Sequence, residues 1–246
     1  MKLPEIKFDP AYKFPPPPRW KAQNHTFKNK AKPGPKRLIW SIDNGTSTYS
    51  ELVAISHARY ACRCGADVLV KRHFPAADHP VVWEKFTISP LLRAGYQVLV
   101  IDNDALITDA CPDLFYLFNG PHIYAVDERI IHKDGVHPDV EAGLKHACHR
   151  MGLQYTGEGP YVNAGVILAN PKMHALFRWP DVSKLQDLWL QEQDYLNAIL
   201  RQKPDLWRPL PAEANVLNPK AGQVPWIVHP AGRTAEDKYK LLAQFA

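Results

Sequence analysis

The chain has 246 residues, 46% hydrophobic and 22% charged, which suits one globular domain with a single core and excludes a disordered or fibrous protein. No run of about 18 apolar residues is present to span a membrane, and the opening MKLPEIKFDP has no apolar stretch of signal-peptide length, so a soluble, cytoplasmic protein is expected. The formal net charge of +5 is uneven: residues 1–36 hold nine Lys/Arg against two Asp/Glu and the remainder 21 against 23, which argues against nucleic acid as a partner of the body.

Residues 1–36 also carry eight of the 23 prolines, with Pro15 to Pro18 in a row, and read as an extended basic arm before a body at 37–246. RLIWSID (37–43) is an apolar run ending in Asp43 and predicts a buried first strand. A Gly/Ser/Thr turn follows, and Thr48 with Glu51 has the spacing of a capping box opening a helix to about Cys64. ADVLVKR (66–72) predicts a second strand, and 81–94 a helix carrying Lys85. YQVLVID (96–102) is the clearest strand and stops in Asn103-Asp104. HIYAVDE (122–128) predicts another strand ending in acid, and 132–160 an irregular loop with a short helix. NAGVILAN (163–170) predicts a strand, after which Pro171 suits the first turn of a helix. Residues 184–201 have the period of an amphipathic helix, and VPWIVHPAG (224–232) predicts a last strand running into a loop.

Strands alternating with helices predict a layered α/β domain, with Asp43, Asp102, Asp104, Asp127 and His229 following the strands at the edge where open sheets bind ligands. A disulfide framework belongs to small secreted domains rather than to a chain of this length, so the four cysteines, Cys62, Cys64, Cys111 and Cys148, read as reduced, partly buried thiols. A structural zinc at Cys148 with His146 and His149 is the alternative.

The chemistry centres on VLVIDND (98–104). Two carboxylates one residue apart at a strand end can lean toward one point, and hard divalent cations want such oxygens. The same residue types also sit in turns for backbone reasons alone, so the motif needs its surroundings. The segment YQVLVIDNDALITDACPDLF resembles the Asp-x-Asp region of nucleotide-sugar glycosyltransferases. YVNAGVILANPK, QEQDYLNAIL and WIVHPAG then resemble, in order, the Asn-Ala-Gly-Val strand, the Asp-Gln-Asp helix and the late His-x-x-Gly loop of glycosyltransferase family 8, the group of glycogenin and lipooligosaccharide galactosyltransferases.

That resemblance, over roughly 37–240, implies a GT-A fold: one domain with a Rossmann-like mixed central sheet flanked by helices. It implies a retaining, metal-dependent transfer of a hexose from a UDP-sugar to a glycan, lipid or protein acceptor. Asp102, Asp104 and His229 would ligate Mn²⁺ or Mg²⁺. Ser41 and Asp43 would hold the uracil, Tyr49 would stack on it, Asn103 would meet the ribose, and Lys85 would aim at the donor. Asn163 and Gly165 would line the sugar pocket, with Gln193 and Asp194 as catalytic residues beneath the transferred sugar. The late loop departs from the family: after Gly232 no lysine stands at the usual place, and Arg233 or Lys238 is left to face the diphosphate. A nucleotide-sugar-forming nucleotidyltransferase and a non-catalytic sugar-binding protein remain as alternatives, and nothing in the pattern fixes an oligomeric state.

Overall fold

The computed structural model describes residues 34–43, 48–72, 79–131, 138–157, 159–185, 188 and 190–246. The proline-rich arm up to residue 33, the turn at 44–47 and residues 132–137 of the stretch expected to be irregular lie outside them.

Among the described residues eight strands form: β1 (Lys36–Asp43), β2 (Asp67–Arg72), β3 (Tyr96–Ile101), β4 (Leu106–Ile107), β5 (Ile123–Asp127), β6 (Val162–Ala169), β7 (Trp207–Pro209) and β8 (Ile227–Val228). Six make the central sheet in the order β2-β1-β3-β6-β5-β7, and β4 pairs with β8 in a small second one. The pairs β1–β2, β1–β3 and β5–β7 are parallel, while β6 runs antiparallel to both β3 and β5. Strand alternation divides the core. Leu38, Trp40, Val98 and Val100 pack on one face, and Ile39, Leu99 and Ile101 on the other. Burial on both faces explains why β3 and β6 read as continuous apolar runs rather than alternating ones.

The helices are α1 (Ser50–Cys64), α2 (Ser89–Arg93), α3 (Leu114–Leu117), α4 (Glu128–Ile131), α5 (Pro138–Arg150), α6 (Gln191–Gln202) and α7 (Ala235–Leu242). Helix α1 begins at Ser50 with Tyr49 at its N-cap and no side chain capping it, so the Thr48–Glu51 box is not formed. Its other end follows the sequence: Gly65 takes the left-handed conformation (φ 62°) that stops a helix without steric cost. The expected helix at 81–94 is a 3-10 segment, Val81–Ile88, followed by α2, and Pro171 opens another 3-10 segment, Pro171–Phe177. The short helix expected within 132–160 is α5, 13 residues long.

The amphipathic helix expected from 184 starts only at Gln191. Its start is fixed locally. The Leu190 carbonyl accepts from the N–H groups of Gln193 (2.7 Å) and Asp194 (3.1 Å), and Asp194 Oδ2 accepts in return from the Leu190 N–H at 3.2 Å. An acid reaching back to the N-cap amide satisfies a donor the helix itself leaves unpaired.

Candidate functional site

The site is built where β1, β3 and β5 end and the antiparallel β6 begins. After β3 the chain turns sharply, with the Ala105 N–H donating to the Asp102 carbonyl at 3.0 Å, while the Asp102 N–H is tied to the Gly165 carbonyl at 2.9 Å. β4 then pairs with β8 in a register that sets Leu106 opposite Val228, so the next residue of the late strand, His229, arrives beside the turn. His229 Nε2 stands 3.3 Å from Asp104 Oδ1 and 3.8 Å from Asp102 Oδ2. One ligand atom from each of Asp102, Asp104 and His229 lies within 4.8 Å of the others, the single such group among the described residues. Cys148 with His146 and His149 forms no comparable group there, and all four cysteines are free thiols, with Cys62 exposed and the other three buried.

Two ammonium groups flank the acids. Lys85, 4% exposed, reaches Asp102 Oδ1 (2.9 Å), Glu192 Oε1 (2.9 Å) and the Ala164 carbonyl (3.0 Å), which occupies all three of its donors. Burial works against its charge, but Asp102 and Glu192 together raise its pKa above the usual lysine range. Lys85 thus spends its donors on these carboxylates and a carbonyl while still lining the cleft. Lys238 of α7 donates to Asp104 Oδ2 at 2.6 Å. Burial pushes the Asp104 carboxyl upward, yet His229, when its ring is protonated, and Lys238 hold it below the usual carboxylate range. Of the two late-loop bases, Lys238 is the one at the acids; Arg233 is exposed and bonds to Asn218.

A cleft of about 150 Å³ opens here, lined by Ile42, Val81, Val82, Lys85, Asp102, Asn103 and Asp104. Asn103 Nδ2 is buried without a hydrogen-bond partner among the described residues, an orphaned donor beside the cleft. Ser41 is buried near the end of β1, Asp43 is half-buried at its last position, and Gly232 takes φ 75° after the late strand. Tyr49 is 6% exposed and packs with Val53, Leu106, Val228 and Leu242, with Lys238 Nζ 5.7 Å from its ring centre. Tyr49 is thus a core residue under Lys238 rather than an open stacking platform.

Behind His229 runs a chain of buried side-chain amides whose orientation follows by elimination. Glu128 Oε1 can only accept, so the Asn163 group facing it at 2.8 Å is Nδ2. Asn163 Oδ1 then accepts from the Gly165 N–H (2.9 Å) and from Asn215 Nδ2 (2.8 Å). Asn215 Oδ1 is left facing His229 Nδ1 at 2.9 Å, so Nδ1 carries the proton and, in the neutral ring, Nε2 directs its lone pair toward the acids. A lone pair and two carboxylates converging on one point is an arrangement that a divalent cation stabilises. Mixed oxygen and imidazole donors fit Mn²⁺, whose ligand preferences overlap both sets.

Gly165 makes the approach of His229 feasible, since a Cβ there would lie 2.1 Å from His229 Cε1. Gly165, expected to line the sugar pocket, is closed over by the histidine on its Cα side. Gln193 lies below the strand, its Oε1 accepting from the Ala164 N–H (2.8 Å) and its Nε2 donating to Glu128 Oε1 (3.1 Å).

Asp194 is not brought to the cleft. It is fully buried, accepts from the Tyr161 hydroxyl (2.7 Å) and the Leu190 N–H, and packs where a Cβ on Gly143 would lie 2.8 Å away. Burial raises its pKa above the usual carboxylate range despite those two bonds. Its observed role is to hold the start of α6 and the Tyr161 hydroxyl. Asp127, expected among the strand-end acids, is paired with Arg129 instead, and the next residue, Glu128, faces the amides. A register shift in the β5–β6 pairing between Ala125 and Asp127 accompanies that change of face.

No protein-family model and no curated protein matches the chain. Among solved structures it is similar to a glycosyltransferase involved in the glycosylation of the major capsid of PBCV-1. The match has 11% identity and a TM-score of 0.58, and it covers 85% of this chain and 100% of that one. The chain shares its fold with that glycosyltransferase. It is also similar to the glycosyltransferase GlyE of Streptococcus pneumoniae TIGR4, with 16% identity and a TM-score of 0.46, over 85% of this chain and 60% of that one. At 11% identity the likeness to the capsid glycosyltransferase is one of fold. Among the described residues no helix is long and apolar enough to cross a membrane.

Proposed function

We propose that the protein is a metal-dependent glycosyltransferase that moves a hexose from a UDP-sugar to an acceptor alcohol on a glycan, lipid or protein, with family 8-like chemistry and retention at the anomeric carbon. The observation that carries the reading is the convergence of Asp102, Asp104 and the oriented Nε2 of His229 on one point beside an open cleft. The shared fold of the capsid glycosyltransferase supports it.

Asp102, Asp104 and His229 would hold Mn²⁺, which supplies Lewis-acid neutralisation of the charge that develops on the departing diphosphate. Lys238, beside Asp104, adds a positive charge to the same region and takes the place of the late-loop lysine that the sequence lacks at its usual position. Lys85 sits between Asp102 and Glu192 and offsets the repulsion between the two acids. Asn103 Nδ2 offers a hydrogen bond to the ribose, and Ser41 and Asp43 lie at the end of β1, where the nucleotide base would sit. Asn163 and Gln193 are already locked by Glu128, Asn215 and the β6 backbone, so the floor beneath the transferred sugar is preorganised. In a same-face transfer the leaving phosphate oxygen takes the acceptor proton, and the chain need supply no separate base.

The test is hydrolysis of UDP-glucose, UDP-galactose and UDP-N-acetylglucosamine without acceptor. Slow release of UDP that requires Mn²⁺ and stops on chelation is expected. Release unaffected by chelation, or absent with every donor while UDP itself fails to bind, contradicts the reading.

A further inference from the structure

Glu128 has no place in the scheme above beyond holding two amides, yet its setting is unusual. It is the first residue of α4 and is 7% exposed. Its Oε1 receives both Asn163 Nδ2 and Gln193 Nε2. Among the described residues no hydrogen bond reaches Oε2, and no lysine, arginine or histidine pairs with the carboxylate. The nearest arginine in sequence, Arg129, is committed to Asp127.

Oε1 is taken up by two neutral donors, while Oε2 has no donor among the described residues and is not one of the buried unpartnered atoms, so it stays open to a donor from outside the chain. The shape of the network says where that donor would come from. Glu128 is bonded to Asn163, which is bonded to Asn215, which is bonded to His229, so the carboxylate is tied by three hydrogen bonds to the histidine beside the acids. Both amides around it have spent their own oxygens, Asn163 on Gly165 and Asn215, and Gln193 on Ala164. Glu128 Oε2 is thus an acceptor in a corner where the neighbouring amide oxygens are already used. A second metal finds no partner carboxylate there, because Asp127 is neutralised. An alcohol O–H fits: it is a neutral donor and makes a short, charge-assisted bond to a carboxylate.

We infer that Glu128 Oε2 is a hydroxyl receptor of the transfer site, accepting a hydrogen bond from an alcohol group of one of the two sugars or alcohols brought together there. The inference deepens the glycosyl-transfer reading and rests on it. Two sources share this chemistry, a hydroxyl of the donor hexose and the hydroxyl of the incoming acceptor, for which water stands in during hydrolysis.

Glu128→Gln separates them. The Gln oxygen can still receive Asn163 and Gln193, so the network survives, while an amino group replaces Oε2 and turns the acceptor into a donor. Binding of UDP and of the three UDP-hexoses is measured by calorimetry with Mn²⁺, alongside hydrolysis. UDP affinity is expected to be unchanged. A loss of about tenfold or more in UDP-hexose affinity, the scale of a hydrogen bond to a charged group, assigns the hydroxyl to the donor sugar. Unchanged hexose affinity with hydrolysis down by about tenfold or more assigns it to the incoming alcohol. Hexose affinity and hydrolysis both within about twofold of wild type overturn the inference, as does a parallel loss of UDP affinity, which would mark Glu128 as structural. Should Glu128→Gln unfold, Glu128→Asp keeps the charge, withdraws it by one methylene and is judged by the same criteria. Wild-type protein that binds no UDP with or without Mn²⁺ overturns the transfer reading itself, and this inference with it.

Discussion

The two halves of the candidate site hold themselves together in different ways. At the mouth, Asp102, Asp104, Glu192, Lys85 and Lys238 form a mesh of full charges, with Asp102 still 29% exposed. Behind it, Asn163, Asn215, Gln193, Asn197 and Tyr161 form a buried network of uncharged side chains, anchored on the Glu128 and Asp194 carboxyls, in which Asn197 and Asn215 have no exposure at all. Charges can be rearranged by an arriving cation or diphosphate at small geometric cost. A saturated amide chain cannot rearrange without leaving donors bare. The charged half is therefore suited to bind and release, and the neutral half to keep Nε2 of His229 pointed at one place.

Substitutions can break that division, beginning with the most severe. Lys85→Met removes the cation from between two carboxylates and leaves Glu192 buried and uncompensated, so the protein should lose about 3–5 kcal/mol in urea unfolding. An unchanged midpoint would mean that the charged mesh is not structural. A buried histidine outside both halves gives the pH signature. His57 is held neutral, its pKa lowered to about 4 chiefly by burial, with its Nε2–H donating to the Ala105 carbonyl that follows the acids. Between about pH 6.5 and 4 the unfolded chain takes up a proton that the folded chain refuses. Stability should therefore fall as pH drops through that window, by about 3 kcal/mol in total. Urea midpoints at pH 7 and 4.5 for wild type and His57→Gln, which keeps the donor and cannot titrate, should show the variant with the flatter dependence.

Gly165→Ala tests the contact between the halves. A methyl group there meets the His229 ring, so Mn²⁺ affinity measured by electron paramagnetic resonance should drop roughly 10–100-fold while the fold persists. Asn215→Ala is expected to act more mildly, about tenfold on the same titration, because the ring keeps its place and loses only the partner that sets its tautomer. Equal affinities in wild type and Asn215→Ala would remove the neutral half from the account.

The charged half was legible in the sequence and the neutral half was not. VLVIDND and WIVHPAG announce themselves because apolar strands end in polar residues, and the fold then brings those ends together through the β4–β8 pairing. Lys85 was visible, but not that its three donors would be spent on Asp102, Glu192 and Ala164. Asn215 lies in the irregular EANVLN, whose period and composition mark nothing, and its importance appears only once His229 is in place. The sequence marks an acid at the end of β5 but points to Asp127 rather than Glu128, because a register shift in β5 is invisible to a period-2 reading. Asp194 stood in a motif with Gln193, yet successive helical residues point about 100° apart, so one faces the strand and the other seals the helix start.

The central claim is that Asp102, Asp104 and His229 close on one cation that carries a nucleoside diphosphate. Calorimetric titration of UDP into wild type and Asp104→Asn, each with Mn²⁺ and with chelator, tests it most directly. UDP binding that requires Mn²⁺ in wild type and falls by about 100-fold or more in the variant is the expected result. UDP binding of equal strength in all four titrations would contradict it.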